Sequence, residues 1–400
     1  MAVLAWLVII ALLVPLCYWY LLAFGTLCKR QSFVLDSVKP SQFFMLAIPA
    51  HNEESVIEET VARLKHIHYP EGLYHINIVA DYCTDRTAEL ARAAGANVYE
   101  RQSGERGGKS AALNWLFSVT LPHQPYDAVI VFDADTQVDP DFLSAMNVRL
   151  LQGHQAIQGQ HVISNPEGGW FPALTWALFL VDNRFQNLGR SNLGFSAKNM
   201  GDSICIKADL LRKLAWGSGL TEDYNLRQKM LLAGAPIFYE PLAVAYGEAP
   251  RKWSEARVQR ARWLRGTHDS SRNYASQLLK QGLHDKDPVV LEGALQALLP
   301  SYSTLTMICL LALMLCFAAN LLFGPLFPTA ILVALAGILA LLFIYPLLGL
   351  ALERAPLRAY LAILTGPVYI VWRTFLAIKS RYWYKQVAWI RTPHGKRRDE

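Results

Sequence analysis

Three apolar runs early in the chain each end in acidic residues. Phe43–Ile48 leads into Pro49-Ala50-His51-Asn52-Glu53, His75–Ala80 leads into Asp81 and Asp85, and Ala128–Phe132 leads into Asp133-Ala134-Asp135. Carboxylates gathered at one edge repel and raise one another's pKa, a cost that a divalent cation removes. In an Asp-x-Asp triplet one carboxylate can meet a bound ligand. The next can reach a metal that shares oxygen ligands with a diphosphate, the usual habit of Mg²⁺. Later, Leu220-Thr221-Glu222-Asp223 introduces a helical pattern whose apolar stripe is Leu226, Met230 and Leu231. In 257–266, Gln259, Arg262 and Trp263 fall at i, i+3 and i+4, so an amide, a guanidinium and an indole share one helix face. Each feature also has a plain structural reading. Asp139 and Asp141 would cap a solvated turn, and Asp223 would be a helix N-terminal charge favoured by the macrodipole. Arg257, Arg260, Arg262 and Arg265 would be a juxtamembrane stripe facing anionic lipid.

The elements that must position these residues alternate. After Pro49, Val56, Thr60, Val61 and Leu64 recur at helical spacing. A second helix is expected over Arg86–Ala94, closed by Gly95, then a short strand at Val98–Glu100 and, after Gly107-Gly108, a helix over Lys109–Phe117. Strands alternating with helices imply right-handed βαβ units, an α/β fold and a mostly parallel sheet. Ligands of such sheets sit at the carboxyl ends of the strands, where Asn52, Glu53, Asp81, Asp133 and Asp135 fall.

Of the 400 residues 53% are hydrophobic and 18% charged, against about 25% charged in an ordinary soluble domain. The shortfall is local: residues 1–28 and 293–352 carry no charge. This excludes a wholly soluble enzyme, a disordered chain and a pure transporter. It implies an N-terminal membrane helix in 1–28, a water-facing domain over 29–292 and a helical membrane hairpin in 293–352, turning at Gly324–Pro328. The remaining 353–400 would hold an interfacial or re-entrant segment at 359–378, with a full third C-terminal crossing as the alternative, and a basic tail. Lys29 and Arg30 place the large domain in the cytosol by the positive-inside rule, and the tail with Lys396, Arg397 and Arg398 as well. The expectation is therefore a multi-pass protein of the cell (inner or plasma) membrane with a cytosolic site, in contact with membrane lipids. A net charge of +6, with much of the basic excess near the apolar stretches, gives no reason to expect nucleic acid. Six scattered cysteines suggest neither a zinc site nor a disulfide framework.

Taken in order, Pro49–Glu53, Asp81 with Thr84-Asp85, Gly108-Lys109, Asp133-Ala134-Asp135, Thr221-Glu222-Asp223 and Gln259-Arg260-Ala261-Arg262-Trp263 resemble the motif series of membrane-embedded family 2 glycosyltransferases, the group of cellulose synthase, hyaluronan synthase and ceramide glucosyltransferase. The resemblance covers about residues 43–266. It implies a GT-A fold, a nucleotide-sugar donor (a UDP-sugar), a Mg²⁺ or Mn²⁺ ion and inversion at the anomeric carbon. Carried over, Asp81 would hydrogen-bond the uracil, with Ala50, Asn52 and Glu53 beside the nucleoside. Asp133 would touch the nucleotide, Asp135 bind the metal and Lys109 approach the diphosphate. Asp223 would be the general base, with Glu222 beside it at the substrate. Gln259, Arg262 and Trp263 would cradle the acceptor and the leaving diphosphate, Arg262 sharing its charge with the metal. Two departures stand out: Ala80-Asp81 replaces a pair of aspartates, and Asn199-Met200-Gly201-Asp202 stands at the acceptor loop, with Asp202 as an extra polar contact. The expected reaction is sugar transfer to a growing polysaccharide. The alternatives are transfer of one sugar to a membrane lipid, which the small number of crossings suggests, and a membrane-anchored binding protein without catalysis.

Overall fold

The computed structural model describes residues 2–28 and 38–383. Lys29, Arg30, Lys396, Arg397 and Arg398, on which the topology expectation rests, lie outside the described residues. Helix α1 (Ala2–Gly25) comes first. The alternating half follows: β1 (Phe44–Ala50), α2 (Ile57–Leu64), β2 (Tyr74–Asp81), α3 (Thr87–Ala93), β3 (Asn97–Arg101), α4 (Gly108–Thr120) and β4 (Ala128–Val131). Then come β5 (Gln137–Val138), α5 (Phe142–Leu151), β6 (Ala156–Ile163) and α6 (Trp170–Val181), which runs through a π-helical segment, Asp182–Gly189, into α7 (Arg190–Asn192). The sheet is completed by β7 (Ile204–Lys207), α8 (Ala208–Leu214), α9 (Glu222–Leu232) and β8 (Ile237–Gly247). Only helices remain: α10 (Trp253–Asp285), α11 (Pro288–Leu298), α12 (Tyr302–Phe323), α13 (Thr329–Leu352), α14 (Leu357–Ile363) and α15 (Gly366–Trp383).

The eight strands form one sheet in the order β3-β2-β1-β4-β7-β6-β8-β5. Its first half is parallel as the alternation predicts, with Ala50 opposite Ala80 and Ala47 opposite Val131. That register brings the ends of β1, β2 and β4 to one edge. The other half is mixed, because β7 enters antiparallel between β4 and β6. Side chains alternate along a strand, so β1 serves two cores: Phe44, Leu46 and Ile48 pack with α2, α3 and α5, and Met45 and Ala47 with α4, α8 and α9.

Among the described residues, Val3–Gly25, Tyr302–Phe323 and Thr329–Leu352 are long and apolar enough to cross a membrane. Their outward faces carry exposed Leu7, Ile10, Leu315, Leu321 and Val333, the surface a lipid would cover. Residues 357–380 are a bent pair of helices meeting at 47°, a broken span or a re-entrant loop. The break falls beside Gly366-Pro367, the dipeptide expected to interrupt that run.

The membrane-type helices and the sheet domain are joined by close backbone contact and by buried charge. A Cβ on Gly189 would lie 2.1 Å from the Leu22 carbonyl oxygen, so only glycine lets α1 approach the π-helical segment. Beside it, Arg190 donates from Nε to Glu292 Oε1 at 2.7 Å and from Nη2 to the Tyr18 hydroxyl at 2.8 Å, while Tyr18 donates to the same carboxylate. On the other side of Glu292, the Arg227 guanidinium of α9 stands 3.7 Å away and also donates to the Ala197 and Ser196 carbonyls. Removing the shared acid leaves two buried cations without a counter-charge, at a cost of roughly 3–5 kcal/mol. Glu292→Ala should therefore lower the thermal midpoint of the purified protein sharply, and Tyr18→Phe only slightly. A Glu292→Ala protein that melts with the wild type would remove the clamp from this account.

Candidate functional site

A cavity of about 380 Å³ opens at the sheet edge where β1, β2 and β4 end. Of the residues given a role at the site from the sequence, Ala50, Glu53, Asp81, Lys109, Asp133, Asp135, Glu222, Asp223, Gln259, Arg262 and Trp263 line it, and Asn52 and Asp202 do not. Asn52 adopts the left-handed region (φ 58°), and its Oδ1 accepts from the Thr84 N–H at 2.8 Å. It thus holds the β1–α2 loop against the loop after β2. Asp85 has a related task, accepting from the Thr87 N–H at 3.0 Å and the Glu54 N–H at 3.2 Å.

Asp81 is buried at the end of β2, where Arg101 of the neighbouring strand donates to its Oδ1 at 2.5 Å. The guanidinium that orients Asp81 also lies 5.4 Å from the Tyr82 ring, with Arg106 4.5 Å from the same ring. This wall therefore offers a fixed carboxylate beside a cation-stacked aromatic.

At the centre, Lys109 donates to Asp133 Oδ1 at 2.5 Å and to the Gly201 carbonyl at 2.6 Å. Burial opposes its charge, but Asp133 and Glu222 outweigh burial and hold the ammonium pKa above its usual value. Asp202, expected as an extra polar contact in the site, supports it from behind. Its Oδ1 accepts from the Asp133 N–H at 3.1 Å, and its Oδ2 lies 3.0 Å from His161 Nδ1. Burial works against the imidazolium, yet the Asp202 hydrogen bond keeps His161 above its ordinary pKa. No group of three or more His, Cys, Asp or Glu side chains converges as a metal cage among the described residues. Oxygen donors at Asp135 and Asp133 suit a Mg²⁺ or Mn²⁺ ion only if a ligand such as a diphosphate supplies further oxygens.

Across the cavity, α9 begins at Glu222, so Glu222 and Asp223 occupy its first turn. Burial, and next the adjacent Glu222 charge, push the Asp223 carboxyl up to about 7, against the Tyr224 N–H, Lys109 and Arg262. Gly201 closes over it: a Cβ there would stand 3.3 Å from Asp223 Oδ2, and its φ of +79° is one that glycine adopts without strain. The remaining wall is α10, whose Gln259, Arg262 and Trp263 face inward on the side that the i, i+3, i+4 spacing predicted. His51 and Met200, from the two loops expected beside the nucleoside and the acceptor, line the cavity too, and sequence reasoning missed Glu248–Lys252 and Glu255. Their one signal was the charged, proline-bearing Glu248-Ala-Pro-Arg-Lys segment just before the basic helix.

The raised Asp223 pKa carries a stability consequence. Its folded-state value of about 7 stands above the ordinary 3.8. Between these the folded protein holds the extra proton, and stability falls as pH rises through the window. Asp223→Asn has no proton to lose. It should melt higher than the wild type at pH 8, with the gap closing toward pH 4, and equal midpoints at both pH values would contradict the raised carboxyl pKa.

Comparison with known proteins agrees with this geometry. The model of the glycosyltransferase-like family 2 matches residues 40–266, more than half of the chain. A beta-monoglucosyldiacylglycerol synthase of Nostoc sp. is 29% identical over 258 residues, covering 60% of this chain and 54% of that protein. A poly-beta-1,6-N-acetyl-D-glucosamine synthase of Staphylococcus aureus is 29% identical over 254 residues, covering 61% of this chain and 58% of that protein. The chain thus spans somewhat more than half the length of these relatives. A mannosyltransferase of Pyrobaculum calidifontis, solved with GDP-Man and Mn²⁺, aligns over 95% of this chain and 99% of its own with a TM-score of 0.57 and 19% identity, and so shares the fold. Motif order, the GT-A mixed sheet and the family match converge, and the chain belongs to the glycosyltransferase-like family 2.

Proposed function

We propose that this protein is an inverting glycosyltransferase that moves a sugar from a nucleotide-sugar donor, a UDP-sugar, onto an acceptor delivered from the membrane. The observation that carries the reading is the half-buried, pKa-raised Asp223 facing a Lys109–Asp133–Asp135 wall across a cavity roofed by Gln259, Arg262 and Trp263. Asp81 and the Ala50–Glu53 loop hold the nucleoside, and Lys109 meets the diphosphate. A Mg²⁺ or Mn²⁺ ion, held by Asp135 and the donor's oxygens, would neutralise the departing charge when bound. Asp223 accepts the acceptor hydroxyl proton as that oxygen attacks the anomeric carbon opposite the leaving nucleotide. Arg262 offsets the growing negative charge on the diphosphate. Glu222 raises the basicity of its neighbour Asp223, and Gln259 and Trp263 orient the acceptor.

A lipid acceptor is the favoured reading. The Glu248–Lys252 wall of the cavity runs directly into Trp253, whose ring lies 4.2 Å from Trp372 of α15. The reaction centre thus borders the membrane-type segments. The printed names of the relatives, a glycolipid synthase and a polymer synthase, leave polysaccharide extension as the second reading. Lys29 and Arg30 favour a cytosolic site. Cysteine introduced into the exposed Gly153 loop should resist an impermeant maleimide in intact cells, and labelling there would reverse the orientation.

With an Asp223 pKa of about 7, nucleotide release should rise about tenfold per pH unit below neutrality and level off above it. Asp223→Asn should lose roughly 10²–10⁴-fold in rate, with donor binding retained. The measurement is nucleotide release from a panel of UDP-sugars with product extraction. A single organic-soluble glycolipid supports the lipid acceptor and a ladder of long chains overturns it, while an unchanged rate in Asp223→Asn removes the base assignment.

A further inference from the structure

Two half-buried arginines outside the cavity have no carboxylate partner among the described residues. Arg251, Arg265 and Arg184 each have a carboxylate at 3.8, 3.6 and 3.4 Å. Arg260 of α10 and Arg373 of α15 have none within ion-pair distance among the described residues. The Arg260 guanidinium lies 4.5 Å from the Trp263 ring and 5.9 Å from that of Phe171, and its Nε is buried with no hydrogen-bond partner. Arg373 donates to the hydroxyls of Ser301, at 2.9 Å, and of Ser303. Ser301 is the N-cap of α12. Arg373 is therefore held at the positive end of a helix macrodipole, where a cation is unfavourable and an anion is favoured.

Both flank one aromatic cluster: Phe171, whose ring the Arg260 guanidinium approaches, also meets Trp372, the chain neighbour of Arg373, at 6.3 Å between ring centroids, and the Arg260 charge disfavours that of Arg373. Asp182, the carboxylate that attracts Arg373 from a distance, already holds Lys198 at 2.7 Å. Two like charges and a helix N-terminus thus meet inside an aromatic wall with no anion of their own. The chemistry that satisfies all three is a phosphate group, which takes charge-assisted hydrogen bonds from arginine. Its source follows from the next turns of α15: Val368, Val371 and Phe375 expose apolar side chains outward, beside Trp372 and Arg373. Acyl chains can lie along that face while the headgroup turns in toward α10 at the level where tryptophan and tyrosine gather in membrane proteins.

We propose that Arg260 and Arg373 form a binding site for the phosphate of an anionic membrane lipid, separate from the donor cavity, between α10, α15 and the start of α12. The bound lipid would tie α10, and with it Gln259 and Arg262, to the bilayer. The site stands on the membrane reading of the helices and does not depend on which reaction the cavity performs.

The test uses the full chain, purified in neutral detergent and stripped of lipid. Thermal midpoints are compared with added phosphatidylglycerol, phosphatidylcholine or inorganic phosphate at equal phosphorus concentration. Phosphatidylglycerol should raise the midpoint by about 3 °C or more, as a ligand specific for the folded state does. Phosphatidylcholine and phosphate should have little effect. Arg260→Gln and Arg373→Gln should each lose at least half of the rise, while Arg272→Gln, at an exposed position of α10, keeps it. If Arg373→Gln does not fold, Arg260→Gln, which breaks no hydrogen bond in the structure, decides alone. An undiminished rise in Arg260→Gln, an equal rise with phosphatidylcholine, or the whole rise with inorganic phosphate would each overturn the proposal.

Discussion

One buried carboxylate holds the two halves of this molecule in register. Glu292 lies between Arg190 and Arg227 and accepts from Tyr18, so α1, α7, α9 and α11 meet at a single acid. A buried ion is tolerated only when it is paired and hydrogen-bonded, so the four elements cannot shift independently without stranding a charge. Arg227 stands one helical turn beyond Asp223 on α9, and the same clamp that seats the apolar helix α1 therefore fixes the helix that presents Asp223 to the cavity. The position of the candidate base relative to the bilayer is in this sense an electrostatic quantity, set by partners far apart in the chain.

The cavity itself is lined more by acids than by bases. Glu53, Asp81, Asp133, Asp135, Glu222 and Asp223 line it together with Lys109 and Arg262. Some of the acid is already answered: Arg101 holds Asp81, and Lys109 holds Asp133. Asp223 is answered in another manner, by keeping its proton close to neutrality. The three carboxylates thus differ in what they face, a guanidinium, an ammonium and a neighbouring acid, and those differences suit the anchor, phosphate-side contact and proton acceptor of the proposed reaction. The support beneath them, His161 to Asp202 to the Asp133 N–H, is an added layer that keeps the Asp-x-Asp loop from relaxing.

What was legible in the sequence was whatever leaves a local period. The apolar runs at Phe43–Ile48, His75–Ala80 and Ala128–Phe132 became adjacent parallel strands because a buried strand must be apolar along its length. Gln259, Arg262 and Trp263 faced the cavity because spacing on a helix determines a face. Long-range pairing has no such signature. The antiparallel insertion of β7 could not be read from four residues, Ile204–Lys207. Glu292 read only as the border of a charge-free stretch, since its partner Arg190 is 102 positions away. Asn52 illustrates a subtler failure, because an amide beside a site can line it or brace its loop, and only the positive φ and the Thr84 contact distinguish these.

These constraints also explain why such a site would sit at a membrane. Its floor, the edge of β1, β2 and β4, is a sheet with its own two cores and owes nothing to lipid. Its roof is α10, which leans through Trp253 and Arg260 on α6 and on α15, elements whose apolar cluster includes the helices long enough to span a bilayer. A displacement of α15 must therefore be felt by Gln259 and Arg262, because Trp253 and Trp372 are in ring contact and cores transmit strain rather than absorb it. On the proposed reading the floor holds the donor and the roof faces the acceptor. The roof is thus the part of the cavity that contact with a bilayer would reach first.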